Sequence, residues 1–252
     1  MIYLKSPEEI KKIRQSCLII ARLLDSLNEL IKPGISTWEI DNFTDSFIRQ
    51  QGAVPSFKGY TVPGLPPFPA AICASVNSVI VHGIPSPKVI LKDGDILGVD
   101  VGVYLDGYHG DAACTYVVGT VSELAQKLLQ VTSKSLDLGI KAAVVGNRVG
   151  DISAAIGDYV SAHGFYVADN LTGHGIGREL HESPQVPNSG HKGKGPRLQK
   201  GMTIAIEPMV NVGTNHVHEQ GWEFSTADNS LSAHFEHTIL ITDGQPEILT
   251  RI

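Results

Sequence analysis

Basic residues are outnumbered: 20 Lys and Arg against 26 Asp and Glu leave a formal net charge of −6. That balance argues against a protein that wraps a polyanion, because nucleic-acid affinity rests largely on neutralising phosphates. No uncharged apolar run reaches membrane-spanning length. Met1 to Glu9 carries neither the basic start nor the apolar stretch of a secretory leader. The three cysteines, Cys17, Cys73 and Cys114, are odd in number and form no CxxC, as expected of reduced cytoplasmic thiols. HExxH is missing, since Gln185 stands where a second histidine would follow His181 and Glu182, so the chain is no zincin. GxxxxGK[ST] is missing too, which leaves the basic stretch Gly190 to Arg197 as a solvated loop rather than a P-loop.

What is present is a core. Hydrophobic residues make up 42% of 252 positions, enough for one large domain without disulfides or a structural metal. Ser6, Pro7 and Glu9 read as N-cap, first-turn proline and capping-box acid. Ile10, Ile13, Cys17, Ile20, Leu24, Leu27 and Ile31 then recur at helical spacing until Lys32-Pro33-Gly34 stops them. A second helix opens at Ser36 with Glu39, stapled by Ile35 and Ile40, and buries Ile40, Phe43 and Phe47 before Gly52 ends it. The prolines from Pro55 to Pro69 make that stretch a loop. Strands follow over Ala71–Val76, Ile96–Val103 and Tyr108–Val118, with Asp106-Gly107 as a hairpin turn. A third helix opens at Thr120 and Glu123 and buries Leu124, Leu128 and Val131; a fourth covers about Asp151 to His163. Strands resume near Tyr166, Met202–Val210, Phe235–Ile241 and Glu247–Thr250.

The order helix, helix, strands occurs twice. Gly34, Ile40 and Gly52 are spaced like Gly146, Ile152 and Gly164; His82-Gly83-Ile84 echoes His174-Gly175-Ile176; and Gly94 precedes Asp100 as Gly201 precedes Glu207. Four matches in one order imply a single α+β domain, 1–252, made of two related halves, about 1–119 and 120–252, around a shared sheet. Such a junction brings one acid from each half to corresponding places, suited to a pair of metal ions.

Asp100, Glu207 and Glu236 lie in or beside apolar, strand-like runs, and Asp111 lies on the returning arm of the hairpin that carries Asp100. A buried carboxylate without a partner is costly, and the flanking strands offer no Lys or Arg. Cations are the economical answer. His174, between glycines that thin the backbone, is the fifth ligand candidate. One imidazole with four carboxylates suits two Mn(II), Fe(II), Co(II) or Zn(II) ions better than a thiolate zinc site. Two divalent charges also cancel four carboxylates that would otherwise raise one another's pKa values. Ions about 3.5–4 Å apart can share and acidify a water, so hydrolysis of a first peptide bond beside a free α-amine is the simplest use. His181 is placed to donate to a developing oxyanion and His82 to contact a substrate amide or leaving group, though either could be structural. His216, His218 and Glu219 fall in a polar loop and read as surface.

The chain resembles type I methionine aminopeptidases of the creatinase-like "pita-bread" fold. The likeness runs over nearly the whole length through Lys32-Pro33-Gly34, Ser75-Val76-Asn77, His82-Gly83-Ile84-Pro85, Asp93-Gly94-Asp95, Val99-Asp100-Val101, Gly107-Tyr108-His109-Gly110-Asp111, Gly173 to Gly177, His181-Glu182, Gly201-Met202, Ile206 to Val210, and Ser232-Ala233 with Glu236-His237-Thr238. The resemblance implies that Asp100 chelates one metal, that Asp111 and Glu236 bridge both, and that His174 and Glu207 complete the other. It makes Glu207 the proton shuttle for a shared water, with His82 and His181 steadying substrate and intermediate. Tyr60, Cys73 and Trp222 match positions of a methionine pocket, although Trp222 could equally be core.

Two departures stand out: Phe57 where some members carry Cys, and Gly102 where many carry Thr, a change expected to loosen the surroundings of the metals. The loop from Thr61 to Pro69 is also longer and richer in proline. The resemblance implies removal of the initiator methionine when the second residue is small, after deformylation, by a cytoplasmic bacterial monomer with a possible transient ribosome contact. Two other readings remain: a prolidase or aminopeptidase P, which usually has an extra N-terminal domain and Glu-Pro-Gly in place of Glu207-Pro208-Met209, and a metal-free binding protein on the same scaffold, which would be expected to have lost ligands.

Overall fold

A computed structural model describes residues 1–252. Helix α1 (Pro7–Leu30) starts with the expected reciprocal cap, the Ser6 hydroxyl accepting from the Glu9 amide while the Glu9 carboxylate accepts from the Ser6 amide. Helix α2 (Thr37–Gln50) repeats that box with Ser36 and Glu39. Its buried face runs through Ile40, Asp41, Thr44 and Ile48, while Phe43 is exposed, so the expected phenylalanine face is displaced. Asp41 explains the shift: its carboxylate accepts from the amides of Ala71 and Ile72 and ties α2 to the chain entering the sheet.

The first sheet has β4 (Ile96–Leu105) at its centre, antiparallel to β1 (Val54–Pro55), β2 (Cys73–Val76) and β5 (Tyr108–Val117). Asp106 and Gly107, at φ 50° and 89°, close the β4–β5 hairpin as expected of a turn with both central residues left-handed. Strand β3 (Val79–Val81) turns away to join a small sheet with β11 (Val217–Gln220) and β12 (Glu223–Thr226). Helix α3 (Glu123–Ala142) is capped by Ser122 rather than Thr120, and its stripe is Ala125, Leu128, Val131 and Thr132, with Leu124 exposed. Helix α4 is Val149–Ala162. No helix is long and apolar enough to cross a membrane.

The second half of the chain contains a break that the apolar pattern did not show. The expected strand over Met202–Val210 is two strands, β9 (Thr203–Ile206) and β10 (Met209–Asn211), in different sheets. Strand β9 belongs with β7 (Thr172–Gly175), β8 (Glu182–Pro187), β14 (His237–Leu240) and β15 (Glu247–Ile248); β10 belongs with β6 (Tyr166–Val167) and β13 (Ser232–His234). Pro208 has no N–H to continue a ladder, so the chain changes sheets at Glu207-Pro208. Its partner changes at Phe235-Glu236, where the register passes from His234 opposite Met209 to His237 opposite Ile206. Strands β7 and β8 were not expected, because Thr-Gly-His-Gly reads as loop. Both glycines are demanded by neighbouring strands: a Cβ on Gly173 would lie 2.4 Å from the Ala205 oxygen, and one on Gly175 2.3 Å from the Ser183 oxygen.

The expected repeat is visible in backbone conformation at three of its four places. Gly34 and Gly146 have φ 97° and 96°, Gly52 and Gly164 73° and 80°, Gly94 and Gly201 96° and 87°. The histidine echo fails, since His174 pairs across β7–β9 with Ala205 just as Ser75 pairs across β2–β4 with Gly98. Ser75, not His82, holds the place corresponding to His174.

Helix α1 packs on β5 through Gly110, where a Cβ would lie 2.8 Å from Cys17 Sγ and 2.9 Å from the Cys17 amide nitrogen. Gly110→Ala is therefore expected to cost about 1–3 kcal/mol through overpacking, read as a Tm lowered by roughly 2–4 °C per kcal/mol. An unchanged Tm would show that α1 yields without cost.

Candidate metal centre

The two sheet-changing corners meet the β4–β5 hairpin over one cleft. Cross-strand pairing places Asp100 opposite Ala113 and Asp111 opposite Gly102, two residues along the same face, so both carboxylates point into it. Glu207 and Glu236 enter from the corners of β9–β10 and β13–β14, and His174 from β7. The join between the sheets is made by backbone and hydroxyls: the Glu236 amide donates to the Ala113 oxygen (2.9 Å), while the Thr238 hydroxyl both donates to the Asp111 oxygen (2.7 Å) and accepts from its amide (3.1 Å).

Asp111, His174 and Glu236, all buried, each place one ligand atom within 4.8 Å of the others. His174 Nε2 is 3.5 Å from Glu207 Oε1 and 3.9 Å from Asp111 Oδ2. Its Nδ1 lies 2.9 Å from the Gly175 oxygen, a contact that only Nδ1–H satisfies, which leaves the Nε2 lone pair for a cation. All five expected ligands line the same cavity of about 560 Å³, which no lysine or arginine enters.

Electrostatics show what the residues need. Burial pushes Asp100 up to about 7. Burial and then the charges of Asp100 and Glu207 hold Asp111 well above the ordinary carboxylate range. Glu207 is raised by burial and by Asp100, and Glu236 by burial and by the three other acids. Burial, and then the neighbouring His181, push His174 down to about 3, keeping it neutral and able to ligate. Asp100 Oδ1, Asp111 Oδ1 and Glu236 Oε1 are buried with no hydrogen-bond partner. Orphaned acceptors, mutual repulsion and one neutral imidazole fit divalent cations.

Around this acidic floor the cavity is apolar. Phe57, Phe68, Cys73, Leu180 and Trp222 cluster, with Tyr60 packed against them. The proline-rich loop is fixed there: Trp222 Nε1 donates to the Pro66 oxygen (2.9 Å), and the Phe68 and Trp222 rings meet edge to face at 5.4 Å. Trp222, Tyr60 and Cys73 thus all reach the cavity wall, as do His82 and His181. Gly102 does not loosen the site, because Phe57 and Ser56 fill the space: a Cβ at 102 would meet both at 2.8 Å. His216 and His218 lie away from the cavity.

One neighbour of the centre was not legible in advance. His234 is 3% exposed, and its Nε2 lies 3.7 Å from Glu207 Oε2. Strand alternation with Glu236 would have flagged it only had the strand been continuous.

A cleft of buried acids and one imidazole, set where two sheets meet, defines a metal-dependent hydrolase of the pita-bread fold. Residues 11–243 match the model of metallopeptidase family M24. The "Methionine aminopeptidase" of Clostridium acetobutylicum is 48% identical over 252 residues, covering 99% of each chain. The crystal structure of methionine aminopeptidase from Thermotoga maritima superposes with a TM-score of 0.97 at 43% identity, covering 100% of both chains. The prolidase from Pyrococcus furiosus, at TM-score 0.80 and 23% identity over 99% of this chain and 65% of its own, shares the fold alone. The chain belongs to metallopeptidase family M24, on its methionine aminopeptidase branch.

Proposed function

We propose that this cleft binds two divalent cations and releases an N-terminal methionine from peptides whose second residue is small. The observation that carries the reading is the juxtaposition of four buried acids, three of them with a partnerless oxygen, and His174 with an apolar hollow. Asp111 and Glu236, from opposite sheets, would touch both cations; Asp100 would hold one, and His174 with Glu207 the other. When bound, such a pair supplies a water of lowered pKa and positive charge beside a developing oxyanion.

The chain's own groups do the rest. Glu207 takes the proton that the attacking water loses and passes it to the leaving amine. Tyr60 orients His181 through its hydroxyl, 2.8 Å from Nδ1; in the tautomer where the phenol donates to Nδ1, the ring proton sits on Nε2, ready to donate to the carbonyl oxygen as charge builds. His82, whose Nδ1 is buried without a partner, is the candidate contact for the substrate amide or leaving group. The methionine side chain would fill the hollow of Tyr60, Cys73 and Trp222, where soft, polarisable sulfur packs well on aromatic edges.

Hydrolysis of Met-Ala-Ser with an Xaa-Pro dipeptide left intact is the expected result; cleavage confined to Xaa-Pro would overturn the reading. His181→Ala is expected to lower kcat/KM for a Met-Ala peptide by about 2–4 kcal/mol, the loss typical of an oxyanion donor. An unchanged kcat/KM would remove His181 from the mechanism. The reading extends to deformylated nascent chains in a bacterial cytoplasm, met by a monomer. The exposed Lys192, Lys194 and Arg197 offer positive charge for a transient ribosome contact.

A further inference from the structure

We infer that His234 is a positioning residue of the metal centre, its Nε2–H holding the distal oxygen of Glu207. The inference rests on the metal reading above and adds to it a residue which that reading leaves out.

The strand register puts His234 in a place equivalent to that of Asp111. Asp111 lies opposite Gly102, two residues beyond the acid Asp100; His234 lies opposite Met209, two residues beyond the acid Glu207. The surroundings match as well. Asp111 is clasped by Thr238, whose hydroxyl donates to its carbonyl and accepts from its amide; His234 is clasped identically by Thr115, at 2.7 and 2.9 Å. These two clasps flank the Glu236 to Ala113 hydrogen bond. In the pseudo-two-fold arrangement His234 therefore occupies the place that Asp111 holds on the other side, the inward-facing position beside an acidic corner.

His234 Nε2 is buried with no hydrogen-bond partner, and Glu207 Oε2 lies 3.7 Å away. That is beyond hydrogen-bond range, but contacts at catalytic sites commonly tighten only in the loaded complex. Glu207 presents its other oxygen, Oε1, to His174 Nε2. One oxygen thus faces the side where a cation would be shared with His174, and the other faces His234. An ionised Glu207 accepting from His234 could not rotate, so it would offer Oε1 as a single, oriented ligand and proton acceptor. A backbone held at both its carbonyl and its amide by the Thr115 hydroxyl keeps the imidazole in place.

The test compares Mn(II) binding by calorimetry to EDTA-stripped protein with kcat and KM on Met-Ala-Ser. His234→Leu, which keeps volume and removes the donor, is expected to weaken Mn(II) binding and lower kcat each by about 10–100-fold, as loss of a group supporting a ligand does, with KM nearly unchanged. His234→Gln, whose amide N–H reaches the same place, is expected to restore both to within a few-fold. Leucine values within two-fold of the original chain would overturn the inference. So would a glutamine variant no better than leucine, which would point to direct ligation by the imidazole. Should the leucine variant not fold, His234→Asn, too short to reach Glu207, must fall below His234→Gln; equality of the two would overturn the inference. An original chain that binds no Mn(II) would instead sink the metal reading itself, a distinguishable result.

Discussion

Glu207→Ala and Asp111→Ala are each expected to lower kcat on Met-Ala-Ser by several orders of magnitude while the protein stays folded. For Glu207, which lies 3.5 Å from His174, the proposed roles make two losses compound: a metal ligand and the proton carrier, the latter alone worth about 10²–10⁴-fold. For Asp111 the loss is of a buried carboxylate lying among the other acids, on a residue whose backbone is clasped by Thr238 at the join between the sheets. Both mutations also remove repulsion among buried acids, so the metal-free variants should be no less stable than the original chain. That separates a chemical loss from a folding loss. The checks are turnover and Tm on the same preparations, and near-normal turnover by either variant would contradict the assigned roles.

Metal removal should expose the stored repulsion, and pH sets how much. Asp100 is raised to about 7 and Asp111, Glu207 and Glu236 well above their ordinary values. Between the unfolded carboxylate range near 4 and these raised values, the folded state holds protons that the unfolded chain has released. Stability of the stripped protein therefore falls as pH rises through that window. Buried histidines act in the opposite sense: His82 is lowered to about 4, and His174 and His234 to about 3. Their penalty for folding at low pH disappears above about 6.5. The histidines' contribution fades over roughly the next pH unit, as the unfolded imidazoles finish deprotonating, and from there to pH 8 the raised acids set the slope among these groups. Cations that bind the ionised acids should then raise Tm by an amount that grows with pH, reaching roughly 5–10 °C at a hundredfold excess over Kd. Thermal melts in EDTA and in Mn(II) at pH 6.5, 7 and 8 test this. A gap that stays constant or closes would mean that the acids do not hold the ions.

The four acids were recognisable because each stands in apolar sequence without a basic neighbour, and desolvation makes that arrangement untenable unless something cationic arrives. His174 and the two flanking histidines stood out only through local glycines and through the likeness to a family. His234 did not stand out at all. Its significance depends on two strands leaving their sheets at the same level, an event signalled in sequence only by Pro208. The glycines of β7 misled for the same reason: they serve strand-to-strand approach, a relation between distant segments.

Capped helices, the Asp106-Gly107 turn and the glycines recurring at φ near 75° and 97° follow from forces that act over a few residues, and those the amino-acid order determines directly. Which face of α2 is buried, where strands change sheets, how Phe57 takes the room left by Gly102 and which imidazole meets Glu207 were decided only when the chain closed on itself. Packing and desolvation between segments far apart along the chain carry no local signature, since their energy exists only once those segments meet.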